Sequence, residues 1–125
     1  MADCIFCKIA SGEIKSKRIY ENEAFYSIYD LNPEVEGHAL VISKKHFKTF
    51  LDVPNSLGSE LMDAIKNTTL KLVKEHNAEG FNVINNGLNA GGQIIDHVHI
   101  HIIPRKKKDN FGWGNLINKC KKFKK

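Results

Sequence analysis

At 125 residues the chain has room for one domain, and a core of that size needs no disulfides. No run approaches the ~18 apolar residues of a membrane span, and the start, Met1-Ala2-Asp3-Cys4, lacks the basic and apolar regions of a secretory signal. Three cysteines, an odd number, suit a reducing compartment better than a disulfide scaffold, with cytoplasm the default and the nucleus open. The net charge of +5 is unevenly spread. Residues 105–125 hold nine Lys or Arg and one acid, whereas the preceding 104 hold ten basic and thirteen acidic residues. This divides the chain into a mildly acidic domain, 1–105, and a basic tail, 106–125. The tail reads either as a solvated, partly disordered terminus or as a sequence-blind grip on an anionic partner such as nucleic acid. Phe111, Trp113 and Phe123 lie among its lysines, where they would stack on bases or pack the tail onto the domain.

In chain order, Ile5 to Ile9 reads as a short apolar turn or helix ended by Gly12. Arg18–Glu21 and Ala24–Asp30 read as a β-hairpin turning at Asn22-Glu23. Alternation along the second strand puts Ile28 and Asp30 on one face. Asn32-Pro33 breaks that strand, and another runs from His38 to Ser43. Leu57, Leu61, Ile65, Thr68 and Leu72 fall on one face of a helix from about Ser56 to His76. Asn55 or Ser56 would cap its start, Gly80 lies past its end, and His76 would be a solvated residue near its last turn. Phe81–Asn85 is a strand, and residues 86–93 form a loop rich in glycine and asparagine. His97–Ile103 is the last strand, stopped by Pro104. Strands joined by short turns around one long helix predict an antiparallel α+β domain, not repeated βαβ units.

The segment His97-Val98-His99-Ile100-His101-Ile102-Ile103 carries the chemistry. Alternation sets three imidazoles on one face and apolar side chains on the other, which would hold the rings rigidly. A neutral imidazole, with a pKa of ~6.5, is a competent nucleophile near neutrality. Attack on phosphorus would give a covalent intermediate, and a neighbouring histidine can move a proton to the leaving group. The loop before the strand would offer backbone N–H groups to a phosphate. The same His-x-His spacing also occurs in strand-borne metal sites. Cys4-x-x-Cys7 has metal-ligand spacing, but two cysteines also read as plain surface thiols.

The His-φ-His-φ-His-φ-φ segment resembles the signature of the histidine triad superfamily. Cys4-Ile-Phe-Cys-Lys-Ile, Tyr29-Asp-Leu-Asn-Pro33, Gly37-His-Ala-Leu-Val-Ile-Ser-Lys-Lys-His46, Asn85-Asn-Gly87 and Gly92-Gln93 resemble its other segments, so the likeness runs from about Cys4 to Arg105. It implies an α+β fold with an antiparallel sheet of about five strands, one long helix and a short N-terminal helix. It implies a hydrolase cleaving purine nucleotide conjugates at the α-phosphate through a nucleotidyl-histidine, without a catalytic metal. His99 would be the nucleophile, with His101 at the phosphate and leaving group and His97 and His38 completing the network. Asp30 would bind the ribose hydroxyls. Ile5, Phe6, Ile9, Ile28 and Leu31 would line the base pocket, or serve as ordinary core. Asn86, Gly92 and Gln93 would meet the phosphate and leaving group.

Ile94 stands where the phosphoramidase branch carries a serine, and Pro104-Arg105 resembles a microbial branch with less uniform substrates. Adenosine phosphoramidate and dinucleoside polyphosphates are therefore both open as substrates. The resemblance further implies a structural zinc on Cys4, Cys7, His46 and His97, and a homodimer. Two rival functions remain. One is a non-catalytic nucleotide- or zinc-binding regulatory module. The other is a DNA-adenylate hydrolase using the basic tail.

Overall fold

The computed structural model describes residues 3–111. Its sheet has five strands, β1 (Tyr20–Glu21), β2 (Phe25–Tyr29), β3 (Ala39–Ser43), β4 (Gly80–Asn85) and β5 (His99–Arg105). Their order is β1-β2-β3-β5-β4, and every neighbouring pair is antiparallel. A short helix, α1 (Ile5–Ser11), lies on one face and a long one, α2 (Gly58–Glu75), on the other. This is the α+β architecture expected. No helix among the described residues is long and apolar enough to cross a membrane.

Side chains directly paired across antiparallel strands share a face. Tyr26, Ile42 and His99 form one such row, and Ile28, Leu40 and His101 form the next. Both rows face α1, whose Phe6 and Ile9 are buried against them. The Tyr26 hydroxyl donates to the Phe6 carbonyl at 2.7 Å, and Arg18 donates to the Ile9 carbonyl at 2.9 Å near the helix end. Gly12 closes α1 at φ +86°, the left-handed conformation that glycine adopts without a Cβ penalty. The alternate residues Phe25, Ala39, Val41, Ile100 and Ile102 face α2 and pack on Ala64 and Leu72. Ala64, Thr68 and Leu72 are spaced by four, one buried stripe of a helix. Burying a leucine such as Leu72 contributes about 2 kcal/mol. Within this layer Thr68 donates to the Ser27 hydroxyl at 2.8 Å, so the buried polar pair is satisfied.

Several local expectations are corrected. Neither Asn55 nor Ser56 caps α2, because residues 55–57 form a 3₁₀ turn and Leu57 occupies the cap position without a side-chain bond. The helix ends at Glu75, and Gly80 lies past that end as expected. His76 is its C-cap, Asn77 turns the chain at φ +51°, and Gly80 opens β4. His97 and Val98 precede β5, since the His97 ring is drawn toward the cysteines while Val98 N–H donates to the Phe47 carbonyl at 2.7 Å. Pro104 lies inside β5. The β3 partner ends at Ile102, so beyond it the strand pairs on one side only, where a missing N–H is tolerated.

Past β5 the chain stays fastened for a few residues. Arg105 donates to both Asp109 carboxylate oxygens, at 2.7 and 3.0 Å, and holds that carboxyl down at about 2. Arg105 also lies over the Phe111 ring, which is buried beside Ile103. Trp113, Cys120 and Phe123 lie outside the described residues.

Candidate active site and metal cluster

A cleft of about 390 Å³ opens between α1 and the sheet. Ile5, Phe6, Ile9, Ile28, Leu31 and Ile94 line it together with Asp30, His99 and His101. The apolar residues expected around a base thus meet the acid expected at a ribose and two triad histidines. Leu31 and Ile94 are exposed at its edge, whereas Phe6, Ile9 and Ile28 are buried. Phe6 packs edge-on against both the His97 and His99 rings.

Backbone contacts assign the tautomers. His99 Nδ1 lies 2.7 Å from the carbonyl oxygen of His97, an acceptor, so Nδ1 carries the proton and Nε2 keeps a lone pair. Burial lowers the His99 pKa, favouring this neutral form. In His38 the order is reversed. The backbone N–H of Glu34 donates to Nδ1 at 3.1 Å, which places the proton on Nε2. That Nε2 donates to His101 Nδ1 at 2.9 Å and lies 3.5 Å from an Asp30 carboxylate oxygen. His101 accepts on Nδ1 and therefore carries its proton on Nε2. A lone pair on His99 and an N–H on His101 thus stand side by side on rings 5.3 Å apart.

His97 belongs to another group. Its ring points to Cys4 Sγ at 3.2 Å and Cys7 Sγ at 3.5 Å, and Cys7 Sγ lies 3.2 Å from His46 Nδ1. His97 Nε2 donates to the Ser43 carbonyl at 2.7 Å, leaving the Nδ1 lone pair toward the sulfurs. Burial lowers the His97 pKa to about 4, so the ring is neutral and able to ligate at pH 7. Burial and the neighbouring Cys4 raise the Cys7 thiol. The four donor atoms lie within 4.8 Å of one another. Tetrahedral coordination with bonds of about 2.0 Å to nitrogen and 2.3 Å to sulfur sets neighbouring donors roughly 3.3–3.8 Å apart, close to the spacings here. The cluster fits a metal ion.

Asn86, Gly92 and Gln93 stand outside the cleft lining. The Gln93 amide is engaged with backbone, donating to the Lys48 and Ile95 carbonyls at 2.6 and 2.9 Å and accepting from Leu88 N–H at 2.7 Å. It braces the loop against the segment that bears His46. Sequence reasoning missed Ser43, which orients His97, and Asn85, whose amide donates to the His99 carbonyl at 3.1 Å. It also missed the N–H of Glu34. Each acts on or through a backbone group, and no residue pattern marks such a contact.

An α+β domain with a histidine-lined cleft beside a Cys₂His₂ cluster defines the class. The HIT domain pattern matches residues 11–108, and the chain belongs to that family. An adenosine 5'-monophosphoramidase of Candida albicans is 38% identical over 109 residues, 84% of this chain and 72% of that protein. An adenylylsulfatase of Arabidopsis thaliana is 39% identical over 107 residues, covering 86% of this chain but only 54% of the plant protein. A zinc-bound histidine triad family protein from Mycobacterium smegmatis superposes with a TM-score of 0.78 at 34% identity, over 90% of this chain and 81% of that one.

Proposed function

We propose that the protein hydrolyses purine nucleotide conjugates at the α-phosphorus through a nucleotidyl-His99 intermediate. The observation that carries this is the His99 Nδ1–H to His97 carbonyl bond, which holds an Nε2 lone pair on a ring lining the cleft. In the first step Nε2 attacks phosphorus, and the bond to the leaving group breaks with its electron pair. The leaving group takes the His101 Nε2 proton. In the second step water attacks the phosphorus and the P–N bond breaks, returning the pair to His99. The nucleoside monophosphate is released, and one water proton replaces that of His101. The base would rest among Ile5, Phe6, Ile9, Ile28 and Leu31, and Asp30 would accept from the ribose hydroxyls. Asn86 would meet the phosphate oxygens, whereas the Gly92 N–H is taken up by the Asn89 carbonyl at 3.0 Å. The relatives' names support both a phosphoramidate and an acid-anhydride substrate. With Ile94 in place of a hydroxyl donor, departing groups that need little protonation, such as phosphates, should react fastest.

Cys4, Cys7, His46 and His97 would hold a structural zinc, with no part in the bond-breaking steps. Bound there, the ion ties α1 to the start of the catalytic strand. Two thiols in that role suit a reducing compartment such as the cytoplasm. The implied homodimer has a candidate face where β4 ends the sheet and exposes Phe81 and Val83.

The test is mass spectrometry of protein quenched during turnover of adenosine 5'-phosphoramidate and, in parallel, a diadenosine polyphosphate. An adenylate adduct on His99, absent in His99→Ala, is expected. Nucleotide binding without an adduct or turnover would replace the hydrolase by the regulatory binding module.

A further inference from the structure

His76 plays no part in the chemistry above, yet its surroundings are unusual. It caps α2 beneath the loop that joins Asp30 to His38. Its Nε2 is buried with no hydrogen-bond partner, the only such side-chain atom among the described residues. An orphaned buried imidazole nitrogen costs about 1–3 kcal/mol, so something else about the ring offsets its presence. Its contact with Glu36, at 3.5 Å, contributes little because that carboxylate is 90% exposed. What the ring supplies is a surface. Gly37, at φ +88°, lies directly on it. A Cβ there would come within 2.7 and 2.8 Å of the His76 ring and 3.0 Å of Pro104 Cγ. Tyr29 packs edge-on against the ring and is itself tied to Glu75 at 3.0 Å.

The segment seated this way is a tight turn. His38 N–H donates to the Val35 carbonyl, and Glu34 N–H donates to His38 Nδ1. That second bond puts the His38 proton on Nε2, which in turn places the His101 proton on Nε2.

We propose that the 34–38 turn, seated on His76, is a tautomer clamp for His101, and that His76 is a positioning residue of the reaction. The ring keeps Gly37 in place, Gly37 keeps the Glu34 N–H aimed at His38, and His38 keeps His101 a donor on the nitrogen used for the leaving group. The same hydrogen bond argues against a cation between Asp30, His38 and His101, whose donor atoms also cluster. A ligating Nε2 would need its proton moved to Nδ1, against the Glu34 N–H. The catalytic meaning of the clamp rests on the hydrolase reading; its tautomer assignment does not.

Nitrogen-15 NMR of histidine-labelled protein without substrate reads the His101 tautomer directly, and steady-state kinetics on adenosine 5'-phosphoramidate reads its effect. The wild type should show His101 protonated on Nε2. His76→Ala should give a tautomer mixture and lower kcat about tenfold, part of the ~10²–10⁴ that a positioned proton donor contributes. KM should stay within about threefold, because His76 itself does not line the cleft. If His76→Ala fails to fold, Glu34→Pro tests the same link by deleting the N–H of an exposed residue. An Nδ1–H tautomer in the wild type, or an unchanged His101 signal in Glu34→Pro, overturns the clamp. So does a His76→Ala protein that loses thermal stability alone. Tautomer shifts in both variants of a protein that turns over no nucleotide would uphold the clamp and remove the hydrolase reading.

Discussion

The two histidine clusters of this domain use the same side chain for opposite ends. Around Cys4 and Cys7, the His97 proton is drawn away to the Ser43 carbonyl, and the lone pair left behind converges with the sulfurs. Around Asp30, protons and lone pairs alternate in series from Glu34 N–H through His38 to His101, while His99 next to them exposes a lone pair. The first arrangement gathers electron pairs at a point, which is what a cation requires. The second keeps an acceptor and a donor apart on adjacent rings, which is what the proposed bond exchange at phosphorus requires. The difference lies in the partner of the second ring nitrogen, not in the histidine.

The most severe way to break the comparison is to remove the exposed lone pair. His99→Ala should lower kcat by roughly 10⁴-fold or more while leaving nucleotide binding measurable by calorimetry, the size of loss seen when a covalent nucleophile is deleted. The converging cluster should respond in stability before chemistry. Chelation, or Cys7→Ser, should lower Tm by on the order of 10 °C, as loss of a few kcal/mol does in a domain of this size. Thermal unfolding with and without added zinc checks it, and activity should fall less than in His99→Ala. Asp30→Ala sharpens the contrast within the cleft. Loss of a charged acceptor should raise KM by about 10–100-fold, the equivalent of ~1.5–3 kcal/mol, with a smaller change in kcat.

The smallest effect concerns the loop that follows β4. Leu88 sits at φ +62°, ψ 169°, a conformation suited to glycine, and is held there by its hydrogen bond from N–H to Gln93. Such strain costs about 1–3 kcal/mol, so Leu88→Gly should raise stability by about 1 kcal/mol in urea unfolding.

Much of this division was legible in the residues. The His-φ-His-φ-His alternation, the four-residue stripe of α2 and the Cys-x-x-Cys pair are side-chain patterns; the stripe lands in the predicted helix, and the alternation holds from His99 onward in β5. What was hidden is carried by the main chain. His97 leaves the strand because its ring turns to the cysteines. Pro104 stays in the strand because β3 stops short of it. Gln93 turns its amide to the loop backbone because Leu88, Lys48 and Ile95 are all within reach. His76, expected in solvent, is covered because Gly37 has no side chain to keep the loop away. A backbone carbonyl or N–H looks the same at every residue, so its aim emerges only from the folded path.

The fastening of Arg105 to Asp109 and Phe111 bears on how this protein is trimmed or joined to others. A fragment ending at Arg105 would lose the ring that covers Ile103 and the carboxylate that holds the last guanidinium. It would expose an apolar spot on β5. A fusion or cleavage site placed after Phe111 would leave that seal intact.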